Sequence, residues 1–170
     1  IDHVGKSPAR LDFDKMKHLN AHYIKEMANE ELLGMVLKLL PAVSSASTEA
    51  IGKALEALKP RCHLINEIAE MAKIYIIEGD ITISKEAQDV IEASDKALIN
   101  ETIKTIEDAD NLENISDALK ALAEKHGLKI GELMKPLRAL LTGMINSPSV
   151  FEIINILGKE TSVKRLRKGA

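Results

Sequence analysis

Apolar residues recur along this chain at intervals of three and four, and short polar breaks rich in Pro, Gly, Ser or Asp separate the runs. That spacing collects one apolar face per helix, so nearly every segment is predicted helical. Asp12 is placed to cap a first helix running through Leu19 and Tyr23 to Ile24. A second begins near Asn29 and sets Leu32, Val36 and Leu39 on one face, with Leu33, Leu37 and Leu40 beside them. Pro41 stops it, because proline supplies no amide and clashes with the preceding turn. Ser44 to Thr48 is predicted as a loop. Ile51, Ala54, Leu55 and Leu58 then form a stripe that Pro60 closes, and a further helix from Arg61 carries Leu64, Ile68, Met71 and Tyr75 inward.

From Ile74 to Ile83 the pattern is interrupted by Glu78-Gly79-Asp80 and suits an extended corner, where Gly79 can supply a positive φ. Ser84 is the expected N-cap of a short helix with Ala87, Val90 and Ile91, and Ala93-Ser94-Asp95 starts another with Ile99, Ile103 and Ile106. The acidic stretch from Glu107 to Glu113 suits a junction or exposed loop. Ser116 is expected to cap a helix carrying Leu119, Leu122 and Ala123, ended by Gly127. Pro136 is expected to divide Gly131 to Met134 from Pro136 to Leu141. Ser147-Pro148 offers an N-cap followed by proline at the first helical position. Val150, Ile154 and Leu157 follow, Gly158 ends that helix, and the last one uses Val163 and Leu166. No repeat of fixed period and no glycine-rich strand-to-helix turn occurs. The expected fold is all-α, in two packed helical subdomains, 1–95 and 96–170.

Composition sharpens this picture. With 45% hydrophobic residues and 29% charged, 170 residues suit a soluble globular chain with one sizeable core or two small ones. The aromatics are Phe13, Tyr23, Tyr75 and Phe151, with no Trp, so the core is aliphatic and broad base-stacking platforms are disfavoured. A net charge of −3 gives no case for non-specific nucleic-acid binding, and DNA is not an expected partner. The last segment nevertheless gathers Lys159, Lys164, Arg165, Arg167 and Lys168 against Glu160 alone. A solvated surface, or cations favoured at a helix C-terminus, would explain it too. Cys62 is the only cysteine, which rules out an intrachain disulfide and suggests a reducing, cytoplasmic setting. No run approaches the roughly 18 apolar residues of a membrane span, and no signal peptide is visible. The chain starts at Ile1 rather than Met, which suggests a fragment.

Most candidate chemistry has a simpler explanation. Asp12, Asp14, Glu30 and Glu31 lie where helix starts favour negative charge. His18 and His22 stand at i and i+4, but lack the Glu of a metalloprotease helix and an evident third ligand, so no metal is expected. Cys62 and His63 point about 100° apart if helical, a poor arrangement for sharing a proton. Gly5-Lys6-Ser7-Pro8 is too short for a phosphate loop. Neither catalytic residues nor a cofactor is expected in this chain. The arginines and turns remain. Arg61 follows Pro60, where a helix start would leave amides free. Ser147 could cap a helix or meet an anion or base edge. Arg138 sits in the run Leu137-Arg138-Ala139-Leu140-Leu141, and a guanidinium is almost never buried unpaired. It must pair internally or reach toward a ligand, and its planar fork suits a carboxylate, phosphate or base edge.

Three ordered blocks resemble bacterial glutamyl-tRNA synthetases. KSPARLDFDKMKHLNAHYIKEM is similar to the family's KSPAxFDxxKLxWLNxxYI stretch, and LKPRCHLINEI to LxPRxxTLxEL. The Gly131 to Lys168 stretch follows the family's end, with a PLRxxLTG segment, a Ser-Pro turn, and LLGKE before a basic helix, here written ILGKE. The resemblance implies the C-terminal, anticodon-binding half of such an enzyme, a helical cage that receives the tRNA anticodon loop. It implies that Arg61 of the PR pair reads the third anticodon base, and that Arg138, Ser147 and Val150 line the anticodon site. Lys120 is the best match to a basic position that approaches the RNA near the KxG turn. Lys164, Arg165 and Lys168 would meet the tRNA backbone. The implied partner is tRNA(Glu), with tRNA(Gln) a further candidate. ATP with Mg and the adenylation machinery would belong to an upstream domain whose HIGH-like and KMSKR-like motifs do not occur here. The chain departs from the family at His18 and Ile115, where Trp is common, and at Lys120, where Arg is found. A helical protein-interaction module and a free-standing tRNA-binding protein remain alternatives.

Overall fold

A computed structural model describes residues 13–77 and 80–170. Within them lie ten α-helices: α1 Phe13–Glu26, α2 Asn29–Leu37, α3 Ser45–Leu58, α4 Ile65–Ala72, α5 Lys85–Glu92, α6 Lys96–Asp108, α7 Leu112–Lys125, α8 Ile130–Thr142, α9 Val150–Leu157 and α10 Lys159–Gly169. Two 3-10 turns, Lys59–Arg61 and Lys73–Tyr75, extend α3 and α4. The all-α expectation therefore holds for the described residues. The Asp12 cap, the Gly79 turn and the Gly5-Lys6-Ser7-Pro8 stretch lie outside them.

Several helix starts follow from short polar side chains that take up the free amides of the first turn. Ser84 Oγ accepts the Ala87 N–H at 3.2 Å, and Asp95 Oδ1 accepts that of Ala97 at 2.8 Å, both as expected. Other starts differ from expectation. Ser44 is an N-cap, accepting the Ser47 N–H at 3.1 Å, so the predicted Ser44–Thr48 loop is the first turn of α3. A polar first turn resembles a loop in sequence. Asn111, not Ser116, caps α7, and Ser116 lies inside that helix. The acidic junction shrinks to Ala109–Asn111, because α6 continues through Asp108. Ser149, not Ser147, caps α9.

Prolines also act differently from their sequence reading. α2 ends at Leu37, short of Pro41, and leaves Leu39 exposed rather than inward. Pro136 does not divide α8, which runs unbroken from Ile130 to Thr142. Proline removes only the bond to the carbonyl four residues back, here Glu132 in the first turn. Its ring is buried, which offsets that loss. α8 ends at Gly143, whose φ of 69° closes the helix in the left-handed region.

One contiguous core spans both halves. In the first, Leu32, Ile51, Leu55, Ile68 and Tyr75 are fully buried where α2, α3 and α4 meet. In the second, Ile103, Ile106, Ile115, Leu119 and Leu141 join the helices α6 to α8. Each such side chain contributes about 1.5–3 kcal/mol by leaving water. α3 reaches α9, α5 lies against α8, and α10 crosses α6, α8 and α9. Lys59 is buried at the end of α3, where its ammonium donates to the Met27 carbonyl at 2.7 Å and binds α2's approach to α3. By contrast α1 buries only Ala21 and Ile24, leaving Phe13, Met16, Leu19 and Tyr23 exposed.

Candidate functional site

The residues singled out from sequence fall in three places. The first is the end of α3. Arg61 closes the Lys59–Arg61 turn and does not start a helix, because α4 begins only at Ile65 and Leu64 is exposed. Its expected free amides are therefore absent. Arg61 Nη1 instead donates back to the Ala57 carbonyl at 2.6 Å, which props an exposed guanidinium against the end of α3.

The second place is the turn between α8 and α9. Arg138 is half-buried on α8, and its Nε is buried with no hydrogen-bond partner among the described residues. No carboxylate among the described residues makes the internal salt bridge left open by the sequence. Beneath it Thr142 Oγ1 donates to the Arg138 carbonyl at 2.8 Å and accepts the Met144 N–H at 3.0 Å. That bridge turns the chain from Arg138 toward Ser147. Ser147 is 6% exposed, and its hydroxyl donates to the Pro148 carbonyl at 3.2 Å rather than capping a helix. The cap is a reciprocal box. Ser149 Oγ accepts the Glu152 N–H at 3.1 Å, and Glu152 Oε2 accepts the Ser149 N–H at 2.7 Å. Val150 opens α9 and is buried, backbone as well as side chain. The first turn of α9 leaves backbone amides without an intrahelical partner, and the Glu152 carboxylate sits beside them.

These two places share an electrostatic neighbourhood. Glu152 is held below the usual carboxylate range first by the Ser149 backbone N–H, then by the Ser149 hydroxyl and the Arg61 charge, against the opposing effect of burial. Tyr75 is fully buried, and burial raises its phenol well above the ordinary value, with Glu152 adding to the rise and Arg61 opposing it. Its hydroxyl also lacks a partner among the described residues. Arg61, Tyr75 and Glu152 thus face one region, where α3, the Lys73–Tyr75 turn and the start of α9 pack. Sequence reasoning missed Glu152 here, although Ser149-Val-Phe-Glu152 has capping-box spacing. It also missed Lys59, four residues after Leu55 on the α3 stripe. The Cys62 thiol is buried and pushed up to about 11 by burial and by Glu67, with Arg61 opposing, so it stays protonated at neutral pH.

The third place is the outer rim. Lys120 is exposed on α7 and pairs with Asp117 at 3.0 Å, a surface contact of small energetic weight. Gly127, whose φ is 66°, lies about two turns beyond it. On α10, Lys164 is exposed. Lys168 pairs with Asp80, and Arg165 is half-buried, donating to the carbonyls of Ile74 and Ile76. Among the described residues no group of His, Cys, Asp and Glu is placed to hold a metal ion, and no helix is long and apolar enough to cross a membrane.

Similarity to known proteins extends along nearly the whole chain. Residues 16–170 match the family model described as an anticodon binding domain. Glutamate–tRNA ligase 2 of Rickettsia bellii is 41% identical over 98% of this chain, which spans 37% of that protein. Glutamate–tRNA ligase 1 of Orientia tsutsugamushi is 43% identical over 95% of the chain and 35% of its own length. Among solved structures, a glutamate tRNA ligase from Elizabethkingia meningosepticum superposes with a TM-score of 0.72 at 28% identity, covering 96% of this chain and 33% of that one. The chain therefore spans little more than a third of the relatives it matches, and it belongs to the anticodon binding domain family.

Proposed function

We propose that the chain reads the anticodon of tRNA(Glu) for a glutamate–tRNA ligase. The observation that carries this reading is Arg138: a half-buried guanidinium whose Nε has no partner among the described residues, beside the start of α9. Burial of Nε fixes the Arg138 stem in the protein, while its two Nη groups, engaged by nothing among the described residues, are open to a base edge or phosphate. Arg138 and Arg61 contribute base contacts worth about 1–3 kcal/mol each where bidentate. Ser147 and Val150 contribute from the turn, and Lys120 from the rim. Lys164 and Lys168 add salt-dependent attraction to phosphates. Unstacked anticodon bases expose edges that a duplex hides, so a small set of placed donors suffices without aromatic platforms.

Both helical subdomains, 1–95 and 96–170, take part in the reading. Activation of glutamate with ATP and Mg, and its transfer to tRNA, belong to the part of the relatives that this chain does not span. Among the described residues no group of His, Cys, Asp and Glu is placed to hold a metal ion. The setting is the cytoplasm, where tRNA is charged. The direct test is binding of the chain to tRNA(Glu), to tRNA(Gln) and to tRNA(Glu) with an altered anticodon, at about physiological salt. Preference for tRNA(Glu), lost in Arg138→Ala, is the expected outcome. Equal binding to all three by a folded sample would refute the reading.

A further inference from the structure

The basic charges of α10 suggest a phosphate-binding surface in sequence, yet most are already used within the protein. Lys159 donates to the carbonyls of Glu107 and Ala109, at 3.0 and 2.8 Å, and so caps the end of α6. Arg167 pairs with Glu107, and Lys168 with Asp80. Those two pairs are exposed and could exchange their carboxylates for phosphates at little cost. Arg165 differs. It is half-buried, makes no ion pair with a carboxylate among the described residues, and the two arms of its fork meet the carbonyls of Ile74 and Ile76. Burial pulls its pKa below the ordinary guanidinium value without removing the charge.

Those two carbonyls flank Tyr75, the buried residue that shares a neighbourhood with Arg61 and Glu152. The other side of the same segment is tied to the first half of the chain, because the Ile77 N–H donates to Ser47 Oγ at 2.9 Å. Ser47 is itself fully buried in the first turn of α3. Residues 74–77 are thus a bridge, pinned to α10 by Arg165 and to α3 by Ser47. α3 carries Arg61 at its far end, while α10 packs on α8, which carries Arg138.

We propose that Arg165 is a positioning residue, whose two-carbonyl clasp sets the Arg61 edge of the site relative to the Arg138 edge. It acts through the protein rather than on the RNA, and its effect on recognition rests on the anticodon-reading function above. The planar fork holds the two carbonyls from two separate nitrogens in a fixed geometry. A lysine keeps the charge but must serve both carbonyls from one nitrogen on a flexible stem, so it cannot hold their spacing. The phosphate-contact alternative makes the opposite demand, since a lysine serves a phosphate nearly as well.

The test compares Arg165→Lys, Ser47→Ala and Lys164→Gln in this chain. Binding to tRNA(Glu) and to tRNA(Glu) with an altered anticodon is measured across a salt series, together with amide exchange at Ile77. Arg165→Lys is expected to cut the preference between the two RNAs by about tenfold, the equivalent of one lost base contact. The salt dependence should be unchanged, and Ile77 should exchange faster. Ser47→Ala removes no charge and releases the same bridge, so it should reproduce that loss of preference. Lys164→Gln should lower the salt slope by about one and leave the preference intact. A merely destabilised chain would bind both RNAs less in equal proportion, leaving the ratio unmoved. Arg165→Lys indistinguishable from wild type would overturn the clasp, as would an intact preference in Ser47→Ala. If the wild type shows no preference, the anticodon reading fails instead. Ile77 exchange then decides the clasp alone, and an unchanged rate in Arg165→Lys overturns it.

Discussion

Gly143 is where the polypeptide departing from Arg138 meets the segment entering α5, and substituting it isolates a single close approach. A Cβ built there falls 2.1 Å from the Thr82 carbonyl oxygen and 2.8 Å from Ile81 Cγ2. The backbone also holds a φ of 69°, and the Gly143 carbonyl accepts the Ser84 N–H at 2.8 Å. Gly143→Ala therefore incurs about 1–2 kcal/mol for a left-handed residue with a Cβ. Pushing the 81–84 backbone away breaks the Ser84 bond, about 1 kcal/mol more. The displaced packing adds a further 1 kcal/mol or so. The sum is about 3–4 kcal/mol. Gly127→Ala is the control, because its φ of 66° is similar while nothing lies within 4 Å of its Cβ position. It should incur only the left-handed cost, about 1–2 kcal/mol. The smaller unfolded-state entropy of alanine affects both variants and cancels. Urea unfolding of the two variants beside wild type measures the difference. At a slope of about 2 kcal/mol/M, the excess for Gly143→Ala should shift its midpoint about 1 M below that of Gly127→Ala. Equal midpoints would show that Thr82 yields freely and that the approach is not a constraint.

Three further outcomes follow from particular side chains. Arg138→Met keeps the apolar stem and removes a buried donor with no partner, so unfolding should show the chain stabilised by about 1 kcal/mol while tRNA(Glu) preference falls; a destabilised variant would reveal a partner for Arg138. Glu152 has a folded pKa below its ordinary 4.5, so its contribution to stability is present above that value and is lost as pH falls through the folded pKa. Glu152→Gln should therefore flatten the acid limb of the stability profile below about pH 4.5, and an unchanged limb would remove the capping box from the balance. Cys62, buried with its thiol pushed up to about 11, should resist a thiol reagent at pH 7.5 until the chain is unfolded, and prompt labelling of the native protein would contradict its burial.

What sequence could and could not show separates along a physical line. Apolar spacing located the buried faces of Ile51, Leu55, Ile99, Ile103, Val150 and Ile154, because one side of a helix must leave water whatever its neighbours do. Short-range signals competed wherever two residues could do the same work. Ser116 and Asn111 are both able caps, as are Ser147 and Ser149, and the reciprocal bond to Glu152 favours the latter serine. Pro136 was expected to break α8 because proline's cost is local, whereas the burial that offsets it is tertiary. Lys59 illustrates the same limit. A lysine on an apolar stripe is read as a solvated end, and only the approach of Met27 gives its ammonium an acceptor inside the protein.

The arginines carry this furthest. Arg61, Arg138 and Arg165 have the same fork and the same charge, and in sequence each stands beside apolar residues. Residue chemistry alone says what each could bind, not what has already bound it. Arg61 spends one arm on the Ala57 carbonyl and presents the rest to solvent. Arg165 spends both arms on the carbonyls around Tyr75. Arg138 engages nothing among the described residues, although its Nε is out of reach of water. A charge that is half-buried and engaged by no protein group in the free chain gains most from a ligand, since part of its desolvation precedes binding. By that criterion Arg138 outranks Arg61 as the anchor of recognition. Arg138→Ala should therefore weaken tRNA(Glu) binding more than Arg61→Ala does. The reverse order would place the main base contact at the end of α3 and leave Arg138 as packing.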